Sequence, residues 1–152
     1  MRGGDQRRQA QVLVRLREVR MRGAAAALAE ARAATAAAER ERAEADAAAD
    51  AADAAMAQAR TDLTTDPAEA ERLLAMVDRS QFRRSVARSA LNDAREAERL
   101  SSEAEAERRK AMILARARHD RLAEHAGQAV RRWARRQEER TALDNMEARR
   151  RS

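Results

Sequence analysis

Between residues 24 and 59, 22 of the 36 positions are alanine. A run like this cannot build a compact interior. Close packing at crystal-like density needs large side chains, and a methyl group fills little space. It is, however, the best helix former available. The rest of the chain extends the point. Among 152 residues there are 41 alanines but only 26 apolar residues larger than alanine, with one Trp, one Phe and no Tyr. Charged residues make up 38%. These proportions exclude a sandwich, a barrel or a doubly wound sheet. They predict an all-α chain of long helices with coiled-coil packing.

Only one stretch reads as a break, residues 61–66, followed by the single proline, Pro67. Asp66 suits a helix N-cap, Pro67 the first helical position, and Glu69 the acid of a capping box. The reading is helix one over about 7–60, a turn over about 61–66, and helix two over about 67–148. Together they form one coiled-coil domain, a long antiparallel two-helix hairpin. Gly23 and Gly127 are mild weak points inside the helices, each costing about 1 kcal/mol against alanine.

Helix one carries a seven-residue ladder: Val14, Met21, Leu28, Thr35, Arg42, Ala49, Met56 and Leu63. Three residues after each rung from Met21 to Met56 comes an alanine: Ala24, Ala31, Ala38, Ala45, Ala52 and Ala59. That is an a/d seam with a small residue at every d, which lets two helices approach closely. Helix two is read as Ala90, Ala97, Ala104 and Ala111, with Val86, Leu100 and Leu114 between them. Met112, Ala115, His119, Leu122, Ala126, Ala129 and Trp133 follow in a shifted phase, so a stutter is expected near 112. A turn centred near residue 63 or 64 makes the numbers of facing residues sum to about 127. Val14 is then opposite Ile113 and Leu114, Leu28 near Leu100, and Met56 near Leu73 and Arg72. Helix two would overhang its partner from about residue 122.

Catalytic and metal-binding constellations are missing from the sequence. There is no cysteine, hence no thiolate, disulfide or Cys-based zinc site. His119 and His125 are six apart and lie on different helix faces. Asp46, Asp50 and Asp53 share a face, but a straight helix cannot wrap them around calcium, so a solvated acidic face is expected. No phosphate loop or nucleophile elbow occurs. The chain reads as a non-enzyme without cofactor. No apolar run is long enough to span a bilayer and no signal-peptide core precedes the helices, so a cytoplasmic protein is expected.

Charge is uneven. Residues 1–22 carry +5, residues 23–66 carry −5, residues 67–110 carry +1 and residues 111–152 carry +5, for a net +6. The terminal segments form a cationic end. Within it, Trp133 stands among Arg131, Arg132, Arg135, Arg136 and Arg140. With no partner helix at that level, such a tryptophan reads as an interface anchor. Nucleic acid is a weaker reading, because 26 acids are interleaved with the 32 bases and no further stacking aromatics appear. Membrane insertion would need a broad Leu/Phe face where this chain has alanine.

Several segments resemble a known family. Leu13, Val14, Arg15, Leu16, Arg17 and Glu18 precede a long Ala/Glu/Arg helix, and Gln81 and Phe82 lie within helix two. Near the end come RHDRLAE at 118–124, EERTALD at 138–144 and MEARR at 146–150. With a length near 150, these resemble the FliJ family of flagellar export proteins and its virulence-secretion relatives of the YscO type. The resemblance implies an antiparallel hairpin like the central stalk of a rotary ATPase. The end bearing both termini would engage the central hole of a hexameric export ATPase. The hairpin would also contact the cytoplasmic domain of the export gate and recycle empty substrate chaperones, at the cytoplasmic face of the inner membrane. By matching region, the ATPase-facing residues are Arg15, Arg17, Arg131, Arg132, Trp133, Arg135, Arg136 and Arg140. Gln81 and Phe82 are candidates for the gate contact. The alanine-heavy helix one departs from relatives richer in leucine and aromatics, which predicts marginal stability alone. A monomeric hairpin or weak homo-oligomer is expected. The other readings are a scaffolding coiled coil unrelated to export and an Arg-rich nucleic-acid-associated helix.

Overall fold

The computed structural model describes residues 2–65 and 67–151, with side chains described for residues 7–65 and 68–150. Two helices account for nearly all of it: α1, Arg2–Thr65, and α2, Ala70–Arg151. A single 3₁₀ turn, Pro67–Glu69, stands between them. The helices pack against each other as a hairpin, and no strand occurs among the described residues.

The break is shorter than residues 61–66 and lies later in the chain. Helix α1 continues to Thr65, and its threonines explain how. Thr61 Oγ1 donates to the Ala57 carbonyl at 3.1 Å, and Thr64 and Thr65 Oγ1 both donate to the Thr61 carbonyl at 2.8 Å. These hydroxyls turn back onto the preceding helical turn instead of initiating a new one. The N-cap role read for Asp66 falls on a residue outside the described ones. Glu69 is engaged with Arg72 one turn onward.

Every rung of the α1 ladder is buried or half-buried, from Val14 to Leu63, and so is each alanine at the d positions. Leu28, Thr35, Ala38, Ala49, Met56 and Ala59 are the most deeply covered. Helix α2 differs from the reading in its first half. Ala90, Ala97, Ala104 and Ala111 face solvent, as do Val86, Leu100 and Leu114. The seam instead runs Leu73, Val77, Ser80, Arg84, Ala87, Leu91, Ala94, Glu98, Ser101 and Glu105. It continues without a stutter into Met112, Ala115, His119, Leu122, Ala126, Ala129 and Trp133. Apolar patterning missed it because five of the ten positions in the first half are polar or charged at the tip: Ser80, Arg84, Glu98, Ser101 and Glu105.

The contacts divide into two units: Met1–Leu28 with Arg108–Ser152, and Ala29–Glu107. The second unit contains the turn. Several of its charged α2 residues have partners on α1. Arg42 Nε meets Glu98 at 3.1 Å, Arg32 meets Glu105 at 3.7 Å, and Asp46 meets Arg95 at 3.4 Å. Asp53 takes bonds from Arg84 and from Arg88, the latter at 2.9 Å. The acidic face of Asp46 and Asp53 is therefore a cross-helix pairing face, while Asp50 is exposed. Thr35 is a buried polar residue of the seam. Its hydroxyl lies 3.1 Å from the Ala31 carbonyl and 3.2 Å from that of Ser101 on α2. A hydroxyl reaches the backbone of a neighbouring helix only where small residues let the axes approach closely, and Ala38 and Ser101 supply them.

These pairs fix the register. The numbers of the facing residues sum to between 136 and 141. The sum of 127 was wrong because it placed the turn centre about five residues too early. It also matched large residues with large. The true register sets Leu91 opposite Ala49, one large residue filling the space that one small residue leaves.

The Asp53 carboxyl is held below the ordinary carboxylate range, first by its bond from Arg88 and then by that from Arg84. With the folded pKa below the unfolded one, this stabilisation is complete above the unfolded value. It is lost as pH falls through the folded one. Asp53→Asn should lower the urea midpoint at about pH 7, and the deficit should shrink as pH falls into the acid range and the native carboxyl takes up its proton. A deficit that does not change with pH would show that the ion pair is not the cause.

Candidate partner-binding site

The unit that carries both termini concentrates the positive charge. Residues 1–28 and 108–152 hold 21 Lys and Arg against 8 Asp and Glu, a net +13. Residues 29–107 hold 11 against 18, a net −7, and the two make up the +6 of the chain. The boundary drawn by packing is also a boundary of charge.

Trp133 sits on the α2 seam, and its partner is Arg7. The guanidinium carbon lies 4.8 Å from the ring centroid. The Arg7 Nε is buried with no hydrogen-bond acceptor among the described residues. The indole face is what compensates its lost hydration, an interaction worth about 0.5–2 kcal/mol. An overhang from residue 122 is thereby corrected. Leu122, Ala126, Ala129, Trp133 and Gln137 are all half-buried, and uninterrupted exposure begins only at Glu138. The physical reason is the register: moving the turn centre about five residues later carries the partner of any given α1 residue about ten residues later. Trp133 is consequently half-buried by its own chain and presents only part of its surface to a partner.

The surrounding cations do face outward. Arg15, Arg131, Arg132, Arg135, Arg136 and Arg140 are exposed, and Arg17 is half-buried at the seam. Arg132 donates to Gln128 at 3.4 Å, and Arg136 Nε donates to the Arg132 carbonyl at 3.3 Å, so these side chains lie along the helix surface. Ala123, Ala126 and Gly127 open a groove of about 350 Å³ beside Val14 and Arg15. A Cβ on Gly127 would stand 3.6 Å from Arg131 Nη1, an ordinary contact. His119 is half-buried with Nδ1 3.0 Å from Asp120, and His125 is exposed. Sequence reasoning missed Arg7 because nothing in a lone N-terminal arginine identifies the ring it will cover.

In the other unit, Phe82 is 70% exposed. Gln81 is exposed beside Arg84, Ser85 and Arg88. An unsatisfied phenylalanine of that exposure is a surface suited to contact, and it lies one turn from the exposed Val86. No helix among the described residues is long and apolar enough to cross a membrane. Comparison with known protein families, curated proteins and solved structures gives no match.

Proposed function

We propose that this protein is a stalk-like component of a flagellar or related type III protein export apparatus. On this reading the unit with both termini docks into a hexameric export ATPase, and the hairpin links that ATPase to the export gate. It also escorts substrate chaperones at the cytoplasmic face of the inner membrane. The observation that carries the reading is the charge partition, +13 in the unit with the termini against −7 in the rest. A two-helix hairpin with an alanine seam is slender enough to enter a ring, and a cationic end suits an acidic lining. The segments that resemble the FliJ family, including Arg15 and Arg17 on α1, supply the identity of the ring.

The cationic set Arg15, Arg17, Arg131, Arg132, Arg135, Arg136 and Arg140 would meet the ATPase, with Trp133 braced by Arg7 behind it. Gln81 and Phe82 would meet the gate domain. Binding of the purified chain to the export ATPase should weaken steadily as salt rises from about 50 to about 500 mM, because exposed charges separated by more than a Debye length are screened. Replacing Arg131, Arg132, Arg135 and Arg136 by alanine should weaken it further at low salt, while Phe82→Ala should reduce only the gate contact. No binding, or affinity indifferent to salt and to these arginines, would overturn the reading.

A further inference from the structure

A second groove lies in the unit with the termini. Arg17 and Arg20 of α1 and Ala111, Leu114, Ala115 and Arg118 of α2 enclose about 240 Å³. Its lining is two alanines and a leucine together with three arginines, and no acid among the described residues lines it. Leu114, which lines it, is 50% exposed, and Leu13 and Leu16, on the same helix as Arg17 and Arg20, are 48% and 45% exposed. Leu13, Leu16, Arg17 and Arg20 follow the three- and four-residue spacing that keeps them along one side of α1.

The chain carries its own complement to this groove. Residues 61–78, around the turn, hold five acids, Asp62, Asp66, Glu69, Glu71 and Asp78, against Arg72 alone. Leu74 and Met76 in the same stretch are 51% and 44% exposed. Basic rim and apolar floor in one unit thus match acidic rim and apolar knobs in the other.

We propose that this groove receives the turn region of a second copy of the chain, with Leu74 and Met76 set against Leu13, Leu16 and Leu114, and the acids against Arg17, Arg20 and Arg118. Because groove and turn are different surfaces, each copy can offer one and receive with the other, a heterologous contact. The apolar patch is small, so the contact is weak, and its charge pairs make it salt-sensitive. It stands independently of the export reading, since its test contains no ATPase.

Sedimentation velocity on the purified chain decides it. Mean mass should rise above 16.9 kDa with concentration at low salt and return toward it at high salt. Arg20→Glu with Arg118→Glu makes both surfaces acidic, and Glu71→Arg with Asp78→Arg takes residues 61–78 from a net −4 to neutral, so each double variant alone should associate far more weakly than wild type. Mixed in equal amounts they should associate again, because the unaltered groove of one variant then meets the unaltered turn region of the other. Leu74→Ser, at an exposed position, should weaken association by several-fold with unchanged helicity by circular dichroism. A wild-type chain that stays monomeric, double variants that associate like wild type, or a mixture that fails to associate would each overturn the proposal.

Discussion

Leu91→Ala should lower the unfolding free energy by about 2–4 kcal/mol, within the range for truncating a buried leucine. Leu91 is 8% exposed, and its opposite number by register is Ala49, 5% exposed. A methyl facing a methyl cannot close the gap that the leucine leaves. The turn-bearing unit has little else to compensate, since Met56 and Leu73 are its other large buried apolar residues. Urea denaturation followed by circular dichroism reads the effect. The exposed Leu100 provides the contrast. It was expected in the seam but stands 52% exposed, so Leu100→Ala should change stability by no more than about 0.5 kcal/mol. Equal losses from the two substitutions would return the seam to the phase of Ala90 and Ala97.

Reversing one charge of the polar seam should cost about 1–2 kcal/mol, and reversing its partner as well should restore most of it. Arg42 and Glu98 are the best pair for this, 3.1 Å apart with side chains 37% and 30% exposed. Arg42→Glu sets a carboxylate against Glu98 and also beside Asp46, which Arg42 approaches at 4.0 Å one turn onward. Glu98→Arg sets two guanidinium groups together. The double exchange rebuilds the pair with its direction reversed. At this exposure the native bridge itself contributes modestly, about 0.2–1 kcal/mol. Its larger consequence is selective: a register in which Arg42 meets an alanine forfeits the pair, and one in which it meets Arg95 or Arg99 is repelled. A double variant no better than the sum of the single ones would remove Arg42 and Glu98 from contact.

Those two results bear on how much of the molecule is legible in its sequence. The α1 seam was readable because Met21, Leu28 and Met56 stand at seven-residue intervals in a field of alanine. The break was readable from Pro67. The first half of the α2 seam was not, because Arg84, Glu98 and Ser101 occupy positions that apolar patterning assigns to solvent. Their partners, Asp53, Arg42 and Thr35, lie on the other helix, and local pattern contains no information about such distant matches. The threonines before Pro67 misled for a local reason. Thr61, Thr64 and Thr65 have the composition of a turn, yet their hydroxyls fold onto the helix that precedes them. A five-residue error in the turn became a ten-residue error in the opposite strand of the hairpin, and this is what left Trp133 without a partner in the sequence reading. The clustering of cations near the termini survived the change, because it rests on net charge over long segments and not on register.

Register is also what the whole account depends on, and the absence of native cysteine allows it to be measured directly. Val14 and Ala126 line one groove and are expected to face each other. A chain carrying Val14→Cys with Ala126→Cys should form an intrachain disulfide under mild oxidation at low protein concentration, whereas Val14→Cys with Leu114→Cys should remain reduced. Ready closure of the second pair and failure of the first would contradict the hairpin described here.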